Sequence, residues 1–445
     1  MKREIKHIGI LGAGLVGALL SIYLRKRGYK VSLYEKRDDM RKASSDSGRS
    51  INLALSRRGI KALEDIGVIK EVEEIMLPME GRMMHSQDGE LTFQPYGKEG
   101  QYINSVSRGN LNKILLSKAE AEGVEIKFEH ACKSVDLEGT SVTFETSGTE
   151  KTMQFDLLFG SDGAFSKMRQ AMVKTDRYNY EQYYIPHGYK ELTIPATENG
   201  DFAIAPNALH IWPRGQYMLI ALPNLDKSFT CTLFFPFEGQ PSFESLQTPQ
   251  QVLNFFRNTF PDSLPHLKNI QGEYFQNPTS SLVTAKCEPW VKGNCVLIGD
   301  AAHAIVPFYG QGMNAGFEDC YELNQLLNNH QDDWEKTLID YQVLRKKDGD
   351  AIADLALHNF VEMRDLVADE KFLIQKKIEA KLHEQYPKKW IPLYSMVTFS
   401  DLRYSEAYEI GKKQQTIMDE VMQRPDILED WESIDLESIV QKLEG

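Results

Sequence analysis

An apolar run from His7 to Leu11 leads directly into Gly12-Ala13-Gly14-Leu15-Val16-Gly17, and no other feature restricts the fold of this 445-residue chain so tightly. The spacing predicts a strand, a GxGxxG turn that opens a helix ending near Gly28, and a second strand, Lys30 to Tyr34, closing on Glu35. In that context the three glycines serve different purposes. Gly12 makes the tight turn, Gly14 lets a pyrophosphate approach bare backbone, and Gly17 lets the helix pack on the strand. Glu35 stands where an acid accepts a hydrogen bond from a ribose hydroxyl. It favours an unphosphorylated adenosine ribose, as in FAD or NAD, over NADP.

A second stretch, Gly293 to Cys320, has the same character. Cys295 to Ile298 reads as a short buried strand ending at Gly299-Asp300, and carboxyl ends of such strands are where α/β sheets bind ligands. After Pro307, a loop with Gly310 and Gly312 leads into a helix from about Met313. The helix start offers free N–H groups and a positive dipole end. An acid for a polyol, glycines for a flat ring and a dipole for an anion suit a redox ring cofactor; the plainer alternative is a buried strand with a Gly-rich turn.

Between these landmarks, helices are expected from Arg57 to Ile66 and, behind a Ser107 N-cap, from Arg108 through Ala119. Strands are expected at Val124–Phe128 and Phe155–Phe159, the latter running into Gly160-Ser161-Asp162-Gly163. Pro78 to Tyr102 is turn-rich. From Tyr180 to Phe237 the pattern changes to β-hairpins, one of them turning at Pro213-Arg214-Gly215-Gln216. Residues from about 318 onward read as helical, with Lys376, Lys377 and Lys381 on a solvated face. The expected fold is α/β, a Rossmann-like nucleotide domain (1–75, 103–178, 277–325) with an inserted, mostly antiparallel β-sheet substrate domain (76–102, 179–276) and a helical C-terminal region (326–445).

Composition sets limits. The formal charge of −13 disfavours nucleic acid and anionic lipid as partners of the surface as a whole. Five cysteines without CxxC spacing fit free thiols in a reducing compartment, so a cytoplasmic location is expected. The uncharged run His7 to Leu24 is broken by four glycines and reads as strand, turn and helix start rather than a membrane span. No secretory leader, metal cluster or Ser/His/Asp arrangement stands out, and His303 reads as structural.

The order of Glu35, Asp162-Gly163 and Gly299-Asp300 resembles the single-component FAD-dependent aromatic hydroxylases. More narrowly, GRSINLALSRRG, QPYG, SVSRGNLNK, IPHGYKELTIP, PNALHIWPRG, DKSFTCTLF and HAIVPFYGQGMNAGFEDC resemble the kynurenine 3-monooxygenase family, from Ile8 to about Met396. Eukaryotic members of that family carry a C-terminal membrane anchor, which is not seen here, so the resemblance is to a soluble, bacterial-type member. It implies tightly bound FAD, transient NADPH, and O2 that adds to the flavin C4a before one oxygen passes to L-kynurenine, in tryptophan degradation and NAD biosynthesis. FAD contacts would fall on Gly12, Gly14, Val16, Gly17, Glu35, Lys36, Arg37, Ala54, Arg108, Asp162, Asp300, Gly312, Met313 and Asn314. The substrate carboxylate clamp maps to Arg82 and Tyr96, the other amino-acid contacts to Asn359 and Tyr394 with Glu362 and Met363 nearby, and the ring wall to Pro307 and Phe308. Tyr309 stands at a position that varies in the family. No catalytic side chain is singled out, because the flavin does the chemistry.

Taken singly, Arg82 or Tyr96 would read as a loop surface residue, and Asn359 with Glu362 as a polar helix turn. The competing functions are a flavin hydroxylase for another aromatic acid, a non-catalytic binding protein on the same fold, as in the GDP-dissociation inhibitors of small GTPases, and an NAD-dependent dehydrogenase. The last leaves the loop from Gly310 to Gly316 unexplained.

Overall fold

The computed structural model describes residues 4–42, 52–96, 100–362 and 369–444. In chain order the elements begin with β1 (His7–Leu11), α1 (Leu15–Lys26), β2 (Lys30–Tyr34), β3 (Asn52–Leu55), α2 (Arg57–Ile66) and α3 (Ile69–Glu73). There follow β4 (Met76–Met79), β5 (Gly81–His85), β6 (Leu91–Pro95), β7 (Ile103–Ser107), α4 (Arg108–Ala121) and β8 (Glu125–Lys127). Next come β9 (Ala131–Asp136), β10 (Ser141–Thr146), β11 (Thr149–Gln154), β12 (Leu157–Gly160) and α5 (Lys167–Val173).

The second half opens with β13 (Asn179–Ile194), β14 (Ala208–Arg214), β15 (Tyr217–Pro223), β16 (Phe229–Pro236), α6 (Pro249–Thr259) and α7 (Ile270–Gln276). It continues through β17 (Ser280–Glu288), β18 (Val291–Lys292), β19 (Cys295–Leu297), α8 (Asp300–His303) and a 3-10 turn at Pro307–Tyr309. The helices α9 (Gly312–Asn329), α10 (Trp334–Val361), α11 (Glu370–Gln385), α12 (Leu393–Phe399), α13 (Tyr404–Val421), α14 (Ile427–Asp430) and α15 (Leu436–Glu444) complete it.

The nucleotide sheet runs β18-β19-β12-β1-β2-β8, with β19, β12, β1, β2 and β8 parallel. Ile8, Ile10 and Leu33 are wholly buried because the sheet is covered on both faces, as parallel strands require: α1 packs on one, and the β9-β10-β11 meander packs on the other, with Phe144 stacked on Tyr34 at 4.1 Å. The carboxyl ends of β1, β2, β12 and β19 carry Gly12, Glu35, Ser161-Asp162 and Gly299-Asp300, so all three acids singled out in the sequence converge on one edge of one sheet.

The second large sheet runs β17-β13-β16-β15-β14-β5-β6, antiparallel apart from the β14–β5 pair. A smaller antiparallel sheet, β3-β7-β4, lies where the two parts of the molecule meet. One face of the second sheet is covered by α6 and α7 around Trp212, Phe235 and Phe256. The other packs Met218, Phe234 and Leu282 against Phe308, Tyr309 and helices α10, α12 and α13. That inner face is the one that matters for chemistry.

Four stretches depart from the sequence expectations. Residues 78–102 hold β4, β5 and β6 rather than turns alone; every residue of β6 is exposed, so no apolar alternation marks it. In the meander, β9 and β11 bury no alternating face, whereas β10 buries Val142 and Phe144 against the nucleotide sheet. Within the region expected to be sheet, α6 forms because Thr248 and Gln251 make a capping box ahead of Val252, Phe255 and Phe256, whose spacing puts one apolar face on the sheet. The β14–β15 hairpin also turns more tightly than expected: Pro213 pairs with Met218, leaving Gly215-Gln216 as the loop, with Gly215 at φ +63°.

Candidate active site

The glycines of the first turn face different neighbours. Gly12 adopts φ +95° against the Ser161 and Asp162 backbone, and a side chain on Gly17 would strike the Gly12 carbonyl. Around Gly14 there is only open space, so a ligand can lie directly on backbone there. Glu35 is buried at the end of β2 and accepts from Ala13 N at 3.1 Å and from Arg37 N and Nε at 3.1 and 2.8 Å. Burial alone would raise its pKa, but Arg37 and these N–H donors outweigh it and keep the carboxyl below its ordinary value. Ala13, Glu35, Lys36, Arg37 and Asn112 line a cleft of about 1260 Å³. Asn112 Oδ1 in this wall is buried without a hydrogen bond among the described residues.

Asp300 starts α8 immediately after Gly299, which takes φ +62° and ψ −143°. Asp300 is solvent-exposed, yet burial is the largest influence on its carboxyl, so it faces a recess of the protein rather than an open surface. That burial raises its pKa, and the nearby charge of Arg108 at the start of α4 works in the opposite direction. Asp162 has one oxygen accepting from Lys167 N at 2.6 Å and the other buried without a partner among the described residues. Val16 packs beneath the turn, where a Cβ on Gly299 or Gly316 would press against it.

The helix α9 begins at Gly312, with Met313 and Asn314 in its first turn. The backbone N–H groups of a first turn have no partner within their own helix. The Asn314 side chain is wholly used inside the protein: Nδ2 donates to Ala54 O and Gly310 O at 2.8 and 3.0 Å, and Oδ1 accepts from Ser56 N at 3.0 Å. Asn314 therefore ties β3, the glycine loop and α9 together, leaving only its backbone to face a ring.

The 3-10 turn joins this helix start to an aromatic chamber. Arg82 of β5 sits with its guanidinium 5.5 Å from the Tyr96 ring centre and 4.6 Å from that of Tyr394. Tyr394 stacks on Tyr96 and on Tyr309, each at 5.6 Å. The Tyr96 hydroxyl is buried and makes no hydrogen bond among the described residues. Asn359 Nδ2 donates to Phe308 O at 2.6 Å, which fixes the turn that follows Pro307. Phe308 meets Phe360 and Phe234 at 4.6 and 4.9 Å and forms an apolar wall. The charge of Glu362 bears on both Arg82 and Tyr309, whereas Met363 lies outside the described residues, as do Arg49 and Ser50.

Lys376 keeps a side chain that is 41% exposed, as expected for a solvated face; it pairs with Glu379 at 3.1 Å, and its charge also bears on Glu362 and Arg82. That electrostatic link to Arg82 has no local sequence signal, because the two residues lie far apart in the chain. The Tyr309–Tyr394 stack is equally non-local.

Residues 6–354 match the family model described as an FAD binding domain. The chain is 50% identical to the kynurenine 3-monooxygenase of Christiangramia forsetii, over 100% of this chain and 99% of that one. It is 47% identical to the kynurenine 3-monooxygenase of Sus scrofa, over 90% of this chain and 85% of that one. The chain belongs to the kynurenine 3-monooxygenase family. It is an FAD-dependent monooxygenase.

Solved structures share the fold of this kynurenine 3-monooxygenase family member. 2-Methyl-3-hydroxypyridine-5-carboxylic acid oxygenase superposes with a TM-score of 0.68 at 19% identity, over 82% of this chain and 94% of that one. A probable FAD-dependent monooxygenase from Pseudomonas aeruginosa gives 0.66 at 20% identity, over 82% and 97%. The residues present fit an FAD: open space over Gly14, an acid at the ribose position, a recessed yet exposed Asp300, and a helix start beyond it. Among the described residues, no helix is long and apolar enough to cross a membrane.

Proposed function

We propose that this chain hydroxylates L-kynurenine to 3-hydroxy-L-kynurenine, with NADPH as reductant and O2 as the oxygen source. Bound FAD supplies the redox chemistry, taking the hydride and activating O2. Gly12, Gly14, Val16 and Gly17 would cradle its pyrophosphate, with Arg108 adding positive charge, and Glu35, Lys36 and Arg37 its adenosine. Ala54, Asp162 and Asp300 would border the middle of the molecule. The first-turn N–H groups of Gly312, Met313 and Asn314 would meet the negative charge that a reduced ring carries. Residues 1–75, 103–178 and 277–325 would form the nucleotide domain in this reading, with β17 also completing the substrate sheet through its pairing with β13.

The observation that carries the substrate assignment is Arg82 between two tyrosines. Its charge is met among the described residues by ring faces rather than by an ion pair, and beside it the Tyr96 hydroxyl lacks a partner. A substrate carboxylate satisfies both, as a charge-assisted pair with Arg82 and an acceptor for Tyr96. Asn359, Tyr394 and Glu362 would receive the remaining amino-acid groups. Pro307 and Phe308 would hold the aromatic ring and keep water out while oxygen is transferred. The ring amino group of L-kynurenine donates electrons ortho to the attacked carbon, so no base is needed to form a phenolate.

The test is NADPH oxidation by the purified, flavin-containing protein. L-Kynurenine should accelerate it many-fold, and aromatic acids without the amino-acid chain should not. A rate indifferent to L-kynurenine would overturn the assignment.

A further inference from the structure

We infer that Arg169 and Asp319 are positioning residues that hold the Gly299–Ala301 turn from both ends and so aim the Asp300 carboxylate into its recess. The inference rests on the reading of Asp300 as a flavin contact and extends it to two residues that face no cleft at all. Gly299 occupies a region of backbone space open only to glycine, with φ +62° and ψ −143°. Such a conformation persists only where its surroundings over-determine it.

Those surroundings are charged and come from different elements. On one side, Asp319 of α9 is wholly buried, and its Oδ2 accepts from Gly299 N at 3.0 Å and from His303 Nε2 at 2.6 Å. Its other oxygen accepts from Arg345 Nε of α10 at 2.8 Å. On the other side, Arg169 of α5 is buried and donates through Nη1 to Ala301 O at 2.7 Å and to Asp300 O at 3.4 Å. Its Nη2 donates to Ala164 O, just beyond Asp162-Gly163. One guanidinium thus bridges the two acid-bearing turns that end β12 and β19.

The arrangement is asymmetric in a telling way. Asp300 is exposed in its recess, while the two ions that grip its backbone are sealed in protein. A buried ion pair is weak evidence for stability, since apolar residues of similar volume often serve as well. Charged hydrogen bonds to backbone are, in contrast, directional and about twice as strong as neutral ones. Their use here points to placement.

A double-mutant cycle on FAD affinity, measured by titrating apoprotein with FAD and following flavin fluorescence, tests this. Asp300→Ala should weaken binding about tenfold or more, and Asp319→Asn and Arg169→Met should each weaken it by a similar factor. In the Asp300→Ala background either change should add less than about twofold, because residues acting through one group are not additive. Losses that multiply in the double variants would make both residues general supports and overturn the inference. So would unaltered affinity in both the Asp319→Asn and Arg169→Met singles. Unaltered affinity in Asp300→Ala would instead remove the reading beneath it, and the inference with it. If Asp319→Asn fails to fold by far-ultraviolet circular dichroism, the Arg169→Met cycle decides alone, with Arg169→Lys expected to recover part of the affinity.

Discussion

The Arg82 guanidinium lies over the Tyr394 ring at 4.6 Å, and Tyr394 is itself the middle ring of a Tyr96–Tyr394–Tyr309 stack. A cation over an aromatic face gains about 0.5–2 kcal/mol, depending on desolvation. Burial works against the Arg82 charge, yet Tyr394, Tyr96 and Glu362 more than compensate, so its pKa stays above the ordinary value. The charge is therefore placed before any substrate arrives. Its position is fixed by three side chains that come from distant parts of the sequence.

Replacing Arg82 by Ala should raise the KM for L-kynurenine roughly tenfold to a hundredfold, the loss of one charge-assisted bond of about 1.5–3 kcal/mol. Flavin content should stay at the wild-type level. Arg82→Lys should recover only part of the loss, because a point charge does not reproduce a planar fork. Steady-state kinetics with flavin quantification check this. Lost flavin together with an unaltered KM would reassign Arg82 to the cofactor.

Gly14→Val places a branched side chain where there is now open space. FAD affinity should fall by about an order of magnitude or more, since backbone approach to the pyrophosphate is blocked. Far-ultraviolet circular dichroism should not change. A variant purified with full flavin would show that the pyrophosphate lies elsewhere.

The His303–Asp319 pair should give stability a specific pH dependence. Burial pulls the His303 pKa down, but Asp319 pulls it up further, so the folded value lies above the ordinary 6.5. Burial raises that of Asp319, and His303 and Arg345 together bring it below 3.8. The histidine contribution is thus complete below pH 6.5 and is lost as pH rises through its folded pKa; the aspartate contribution is present above 3.8 and lost as pH falls through its depressed value. The melting-temperature gap between wild type and His303→Asn should therefore narrow as pH climbs above 6.5. A gap that is constant or widens with pH would mean that His303 is neutral in the folded protein.

Much of the nucleotide end was legible because its determinants are local. Gly12, Gly14, Gly17 and Glu35 sit within one β-α-β unit, and their spacing alone dictates strand, turn and helix. Asp162 and Asp300 could be flagged as acids at strand ends, but not that Arg169 joins their turns, because that contact depends on strands adjacent in space and far apart in sequence. Arg82, Tyr96, Asn359 and Tyr394 were marked only by family resemblance; no periodicity identifies a residue on β5 as the neighbour of one on α12. Lys376 looked like one lysine among several on a charged helix. The exposed strands β6, β9 and β11 escaped notice since they bury no alternating face.

The central claim is that this site puts one atom of O2 onto L-kynurenine. The most direct measurement supplies the flavin-loaded protein with NADPH, L-kynurenine and 18O2, and reads the product by liquid chromatography and mass spectrometry. The expected product is 3-hydroxy-L-kynurenine carrying one 18O atom, formed only when all three are present. NADPH consumption that yields hydrogen peroxide without hydroxylated product, or product carrying oxygen from water, would contradict the claim.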